Sequence, residues 1–172
     1  FADKTNFLIE DGLTGIVGPN GCGKSNIVES LRWVMGETSA KSMRGSGMED
    51  VIFSGTSNKT SKNIAEVSVT VANQNNEGPI QFRELDEVNV RRKIEKDKGS
   101  KFYINDKEVR ARDAQMFFDD LSTGAHSPSM ISQGRIGALV TAKPTDRRAI
   151  LEEAAGISGL HVRRHEAELR LS

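Results

Sequence analysis

The segment that most constrains this chain is the glycine-rich run from Gly18 to Ser25. It reads Gly-Pro-Asn-Gly-Cys-Gly-Lys-Ser and matches the pattern G-x-x-x-x-G-K-[ST] at every fixed position. The apolar run Leu13–Val17 precedes it, and an amphipathic stretch from Lys24 to Met35 follows it. The sequence therefore predicts a strand, a loop and a helix in that order, which is the context that a phosphate-binding loop requires.

The residue types in this loop have a direct chemical purpose. Glycines let the backbone turn tightly and point several N–H groups into one concavity, and the following helix adds the positive end of its dipole. Lys24 is expected to reach the β- and γ-phosphates of a nucleoside triphosphate, and the Ser25 hydroxyl is expected to ligate Mg²⁺. The predicted phosphate-binding residues are Gly18, Pro19, Asn20, Gly21, Cys22, Gly23, Lys24 and Ser25.

Length and composition limit the alternatives. A chain of 172 residues suits one domain, and a formal net charge of zero gives no overall attraction to nucleic acid. The single cysteine, Cys22, excludes an internal disulfide framework. No apolar run approaches the roughly 20 residues of a membrane span, so no membrane association is expected. The first residues lack both an initiator Met and a signal-peptide pattern, which favours a piece of a longer protein.

Hydrophobic periodicity predicts an α/β fold, in which a P-loop unit carries an added antiparallel β-layer. Ala111–Leu121 is predicted to be helical, and Asn105-Asp106 suits a two-residue hairpin turn. Beyond Gly159, charged residues alternate with Ala167, Leu169 and Leu171, as in a coiled-coil arm or a solvated helix. The predicted strands are Phe7–Glu10, Leu13–Val17, Val51–Phe53, Val67–Val71, Val88–Ile94, Phe102–Ile104 and Lys107–Val109.

Hydrolysis needs more than a phosphate-binding loop. Gln133, between the apolar residues Ile131 and Ile136, is a candidate to contact Mg²⁺ and the attacking water, and Arg44 in a glycine-containing loop is a candidate for the γ-phosphate. Both could instead be ordinary surface residues. No apolar strand ending in Asp-Glu (a Walker B element) is visible, because the nearest string, Phe117–Asp120, has a helical pattern.

Several segments together resemble one family, the SMC (structural maintenance of chromosomes) proteins, which are ABC-type ATPases. The resemblance covers nearly the whole chain and is closest to the bacterial members that partition chromosomes. It corresponds to the N-terminal half of their head domain. The matching strings are Phe1–Thr5, Gly18–Ser25, Arg32–Glu37, Ser39–Gly45, Met48–Phe53, Ile131–Ile136, Lys143–Arg148, Glu152–Ile157, Ser158–His161 and Arg163–Glu168.

This resemblance implies specific roles. Gly18–Ser25 would be the Walker A loop for ATP and Mg²⁺, with Lys24, Gln133 and Arg44 acting on the reaction and with Ser25 and Gln133 at the metal. Residues 1–157 would form the half-head, and residues 158–172 would begin the coiled-coil arm. The signature motif, Walker B and the catalytic glutamate lie elsewhere in the family's chain, so this chain alone is not expected to hydrolyse ATP efficiently.

The resemblance also implies partners and a place in the cell. The expected partners are a second head in a homodimer, a kleisin-type bridging subunit with its accessory protein, and DNA. ATP-driven closure of the heads would entrap and organise DNA in chromosome condensation and segregation, at the nucleoid in the cytoplasm.

Three rival functions and one uncertain surface remain open. The rivals are a coiled-coil ABC ATPase of DNA repair of the RecN or RecF type, a small-molecule kinase with a P-loop, and a module that docks partners without catalysis. A basic stretch along a predicted hairpin is either a DNA-binding patch or an ordinary charged face. Its cations are Arg91, Arg92, Lys93, Lys96, Lys98 and Lys101.

Overall fold

The computed structural model describes residues 1–38, 47–73, 80–121, 123, 130–131, 137, 140–145, 147–148 and 151. Two α-helices, α1 (Lys24–Val34) and α2 (Ala111–Asp120), flank a sheet in the sequence. The sheet has four strands: β1 (Ile64–Ala72), β2 (Glu87–Glu95), β3 (Gly99–Ile104) and β4 (Lys107–Val109). Two short 3₁₀ helices, Met48–Val51 and Ile80–Phe82, lie in the connections.

The sheet confirms the predicted antiparallel layer. Its order is β1-β2-β3-β4, and every neighbouring pair is antiparallel. Asn105 and Asp106 link β3 to β4 with φ angles of 46° and 63°, as a tight hairpin turn requires. In β1 and β2 alternate residues face the core, so one side of the sheet is apolar and the other is polar.

The core lies between this apolar side and the two helices. Its larger cluster joins Val34 and Met35 at the end of α1 to Phe117 and Phe118 of α2, across strand residues such as Val90. A second cluster contains Trp33, Ile52 and Ile94. The sheet therefore rests on the C-terminal end of α1, while the N-terminal end of α1 carries the glycine-rich loop.

Three of the predicted strands are wrong. Residues 7–10 and 13–17 are described but form no strand, and their side chains are solvent-exposed: Leu13 is 100% exposed, Val17 91% and Leu8 85%. Among the described residues no strand pairs with them, and an unpaired extended segment does not form a ladder. Val51–Phe53 is also not a strand, because Val51 ends a 3₁₀ helix, although Ile52 is buried as expected.

Candidate phosphate-binding site

The glycine-rich loop has the backbone conformation that its composition predicts. Gly21 and Gly23 have φ angles of 81° and 93°, which residues with a side chain rarely adopt. A Cβ added to Gly18 would lie 3.0 Å from the Cys22 sulfur, so the loop closes tightly on itself at that position. The glycines are therefore required here both for backbone angle and for space.

Lys24 lies at the junction of the loop and α1. Its Nζ donates hydrogen bonds to the backbone oxygen of Gly18 at 2.7 Å and to that of Pro19, and it lies 3.9 Å from the Cys22 sulfur. The ammonium group thus folds back over the loop and holds a positive charge beside the concavity. A phosphate entering the loop would meet this cation directly.

The N-terminal end of α1 is suited to an anion. Gly23 is the N-cap, and neither a side-chain cap nor an acidic residue occurs in the first turn of this helix. Its first N–H groups, which have no partner within a helix, and the helix dipole together favour a negatively charged ligand. Ser25, the predicted metal ligand, is in this first turn.

The C-terminal end of α1 is held by a glycine and by side chains from β2 and α2. Gly36 has a φ of 106°, and Gly36 N and Glu37 N donate to the oxygens of Trp33 and Arg32, at 3.2 Å and 3.0 Å. This pair of bonds is a Schellman motif, which ends the helix at Gly36. Gln115 of α2 then donates to the Gly36 oxygen at 2.8 Å.

Arg92 provides the second attachment at this end of the helix. Its Nη1 donates to the oxygens of Trp33 at 2.7 Å and Glu37 at 2.6 Å, and its Nε donates to Ser100 Oγ at 2.8 Å. The guanidinium carbon lies 4.6 Å from the ring centres of both Trp33 and Phe102. Burial lowers the pKa of Arg92 to about 10, against the opposite effect of Glu37, so the group remains charged at neutral pH.

This location corrects the predicted basic patch. Arg92 is only 3% exposed and cannot contact DNA. The sequence contains a signal for this position. Arg92 is an even number of residues from Val88, Val90 and Ile94, so it lies on the same, inward side of the strand.

Most of the other cations in that stretch are paired with carboxylates. Arg91 pairs with Asp106 at 3.0 Å and with Glu66 at 3.6 Å, and it lies over the ring of Tyr103. Lys98 pairs with Glu95 at 2.7 Å, and Lys101 pairs with Glu108 at 3.0 Å. The polar side of the hairpin therefore has mixed charge, which agrees with the hypothesis of an ordinary charged surface and not with that of a DNA-binding patch.

Other predicted site residues lie outside the described residues. Arg44, Gln133 and the predicted coiled-coil start at 158–172 are among them, so their roles stay predictions. Phe117–Asp120 is described and belongs to α2, which confirms that this string is a helix and not a Walker B strand.

The loop, its helix and the antiparallel layer define a P-loop domain of the α/β class. Residues 1–135 match the family model described as the RecF/RecN/SMC N terminal domain. The chain is 56% identical over its full length to the chromosome partition protein Smc of Cereibacter sphaeroides, and it covers 15% of that relative.

Solved structures agree with this match. One neighbour comes from work titled "Structural biochemistry of ATP-driven dimerization and DNA stimulated activation of SMC ATPases", with a TM-score of 0.71, 30% identity, and 85% of this chain and 86% of that chain covered. Another is a Pyrococcus furiosus Smc head domain bound to the C-terminal domain of ScpA, with a TM-score of 0.72, 29% identity, and 89% and 38% covered.

The chain belongs to the RecF/RecN/SMC family and corresponds to the N-terminal part of an SMC head. It spans about 15% of the length of the curated relatives that it matches. In the part of the chain that the structure describes, no helix is both long and apolar enough to cross a membrane.

Proposed function

We propose that this chain is the nucleotide-binding half of an SMC ATPase head, which binds ATP with Mg²⁺ at Gly18–Ser25. The observation that carries the proposal is the loop itself: two glycines with positive φ, an uncapped helix N-terminus, and the Lys24 ammonium over the concavity. Each of these features favours a polyphosphate.

Hydrolysis in the whole head would use four residues of this chain. Lys24 and Arg44 would neutralise charge on the β- and γ-phosphates, and Gln133 and Ser25 would hold Mg²⁺, with Gln133 also orienting the water. The assignments of Arg44 and Gln133 rest on the family resemblance. The Walker B carboxylate, the catalytic glutamate and the signature motif would come from the C-terminal half-head and from the partner head.

The exposed apolar N-terminal segment supports this division of the head. Leu8, Ile9, Leu13, Ile16 and Val17 are all at least 40% exposed, although their pattern is that of buried strands. A soluble domain rarely leaves such a patch open without a partner. We propose that the C-terminal half-head pairs with this segment and buries it, which would produce the strands predicted from the sequence.

In the whole protein, two such heads would close on ATP, bind a kleisin-type subunit and its accessory protein, and organise DNA during chromosome segregation. Two observations support this proposal: the relatives are named chromosome partition proteins, and two of the similar solved structures are Smc heads bound to ScpA. The protein would then act at the nucleoid in the cytoplasm. Its DNA contact would lie away from the β2–β3 hairpin, because the cations there are mostly buried or paired.

The test is calorimetric titration of the folded chain with ATP in the presence of Mg²⁺, followed by ATPase assays after mixing with the C-terminal half-head. We expect ATP binding by the chain and turnover only by the mixture. Lys24→Ala should abolish both, whereas Lys96→Ala, a change to an exposed lysine in the β2–β3 turn, should alter neither. If the wild-type chain has no affinity for ATP, or if Lys24→Ala binds equally well, the proposal is wrong.

A further inference from the structure

The glycine-rich loop contains an asparagine that is followed directly by a glycine, at Asn20 and Gly21. No other asparagine in the sequence precedes glycine. Asparagine is a chemically labile residue, and its side chain is short enough to reach the backbone nitrogen of the next residue. A glycine in the second position leaves that nitrogen without a neighbouring side chain. The predicted phosphate site therefore includes the dipeptide in which attack on the carboxamide meets the least steric resistance.

The structure leaves both reacting groups accessible. Asn20 and Gly21 are exposed, and within the described part of the chain neither the Asn20 carboxamide nor the Gly21 backbone N–H makes a hydrogen bond. Gly21 has a φ of 81°, and nothing lies within 4 Å of the position that a Cβ would take there. The turn at Asn105 differs, because Asn105 is exposed but its Oδ1 accepts a hydrogen bond from Asn89 N at 2.8 Å, and Asp106 follows it.

We propose that Asn20–Gly21 is a modification site, at which a head without bound nucleotide converts its asparagine spontaneously to aspartate or isoaspartate and so loses affinity for ATP. The inference rests on the proposed function of the loop and deepens it, since it adds a form of regulation to the same site. Bound nucleotide protects the dipeptide, because phosphate oxygens accept hydrogen bonds from the N–H groups of such a loop and hold its backbone in place.

The conversion needs no reactant except water. The Gly21 nitrogen attacks Cγ of Asn20, the Cγ–Nδ2 bond breaks, and the amide nitrogen leaves as ammonia together with the proton of the Gly21 N–H. The product is a five-membered cyclic imide. Water then opens this ring at Cγ, which gives aspartate, or at the Asn20 carbonyl carbon, which gives isoaspartate with a longer main chain. In both cases an uncharged carboxamide becomes a carboxylate, and nothing is oxidised or reduced.

The new carboxylate would lie beside the groups proposed to bind phosphate. Lys24 Nζ donates to the backbone oxygens of Gly18 and of Pro19, the residue before Asn20. A negative charge at residue 20 attracts this ammonium group and repels a phosphate in the same loop. At about 5 Å, one unit charge changes affinity about 4-fold at the dielectric constant of water and by more than about 100-fold at an effective value of about 20. We therefore expect the converted protein to bind ATP about 10- to 100-fold more weakly.

The experiment is incubation of the full-length protein in warm, mildly alkaline buffer, with and without ADP and Mg²⁺, since ADP would occupy the loop without being consumed. Peptide mass spectrometry then measures conversion, and calorimetric titration with ATP, after removal of ADP, measures affinity. Without nucleotide, the Asn20 peptide should convert while the Asn105 peptide, the internal control, stays intact, and ATP affinity should fall in step with conversion. Saturating ADP should slow both changes about 10- to 100-fold, because only the unoccupied loop reacts.

Two variants separate the modification from general ageing of the protein. Asn20→Asp should bind ATP about 10- to 100-fold more weakly than wild type from the start. Asn20→Gln has a side chain one carbon longer and cannot form the five-membered ring. Its affinity for ATP, whatever the initial value, should therefore stay constant during the incubation while that of the wild type falls.

The outcomes distinguish this inference from the proposed function. An Asn20 peptide that stays intact without nucleotide, or a converted protein that keeps its affinity for ATP, would overturn the modification site and leave the proposed function intact. Conversion at the same rate with and without ADP, in a protein that binds ATP when fresh, would do the same for the protection by nucleotide. Fresh wild-type protein that does not bind ATP would contradict the proposed function itself.

Discussion

Replacing Gly36 with alanine should destabilise the fold at the junction of α1, α2 and the sheet. Gly36 has a φ of 106°, and a Cβ there would lie 2.2 Å from Cγ of Gln115. A residue held at an unfavourable φ costs about 1–3 kcal/mol. Moving Gln115 aside would also break its hydrogen bond to the Gly36 oxygen, which is worth about 0.5–1.5 kcal/mol.

Alanine also restricts the unfolded chain, which offsets about 0.4–1 kcal/mol of this loss. The free energy of unfolding should therefore fall by about 0.5–4 kcal/mol. The assay is urea denaturation of the 172-residue chain, monitored by circular dichroism and by tryptophan fluorescence. The single tryptophan, Trp33, is only 2% exposed, so its fluorescence reports on the core. A lower midpoint with an unchanged slope would report a loss of stability alone.

Gly47→Ala is the matched control, since Gly47 has a φ of −141° and open space where its Cβ would be. It should change the unfolding free energy by no more than about 0.5–1 kcal/mol. The double variant with Gln115→Ala removes the close contact but keeps the backbone strain, so it should be less unstable than additivity predicts. If Gly36→Ala proves as stable as Gly47→Ala, the account of this junction is wrong.

Three further predictions concern single groups. Alkylation of Cys22 should block ATP binding, because its sulfur lies 3.9 Å from Lys24 Nζ inside the loop. In calorimetry, the Cys22→Ser variant should bind ATP equally well before and after treatment with the alkylating reagent. Asn105→Ala should destabilise the chain by about 1–3 kcal/mol in urea, since Asn105 has a φ of 46° and its Oδ1 accepts a hydrogen bond from Asn89 N; an unchanged midpoint would contradict this. The hydrogen bond from Lys98 holds the pKa of Glu95 below its usual range. The contribution of this pair to stability is therefore present above the pKa of the unfolded state and is lost as pH falls through the pKa of the folded state. NMR titration should show the Glu95 midpoint rising in Lys98→Ala but not in Lys62→Ala.

The elements predicted from local patterns agree well with the structure. The helix after the loop, the strand β2 and the hairpin turn at Asn105 each follow from a few neighbouring residues. Two of the wrong strand predictions, residues 7–10 and 13–17, lie in a segment that pairs with no strand among the described residues. Leu13–Val17 has the composition of a strand, yet no described strand lies beside it, and its side chains remain in solvent.

By itself, the sequence determined the conformation of the glycine-rich loop, because positive φ at glycine, a following helix and a lysine at its start are properties of adjacent residues. It also determined the antiparallel layer through its alternation of apolar and polar residues. Only the tertiary structure decided that Arg92 meets the backbone oxygens at the end of α1 and that its neighbour Arg91 pairs with Asp106 on the opposite side of the sheet. The physical reason is that hydrogen bonds and desolvation depend on which residues meet in space, and residues 33 and 92 meet only when the whole fold has formed.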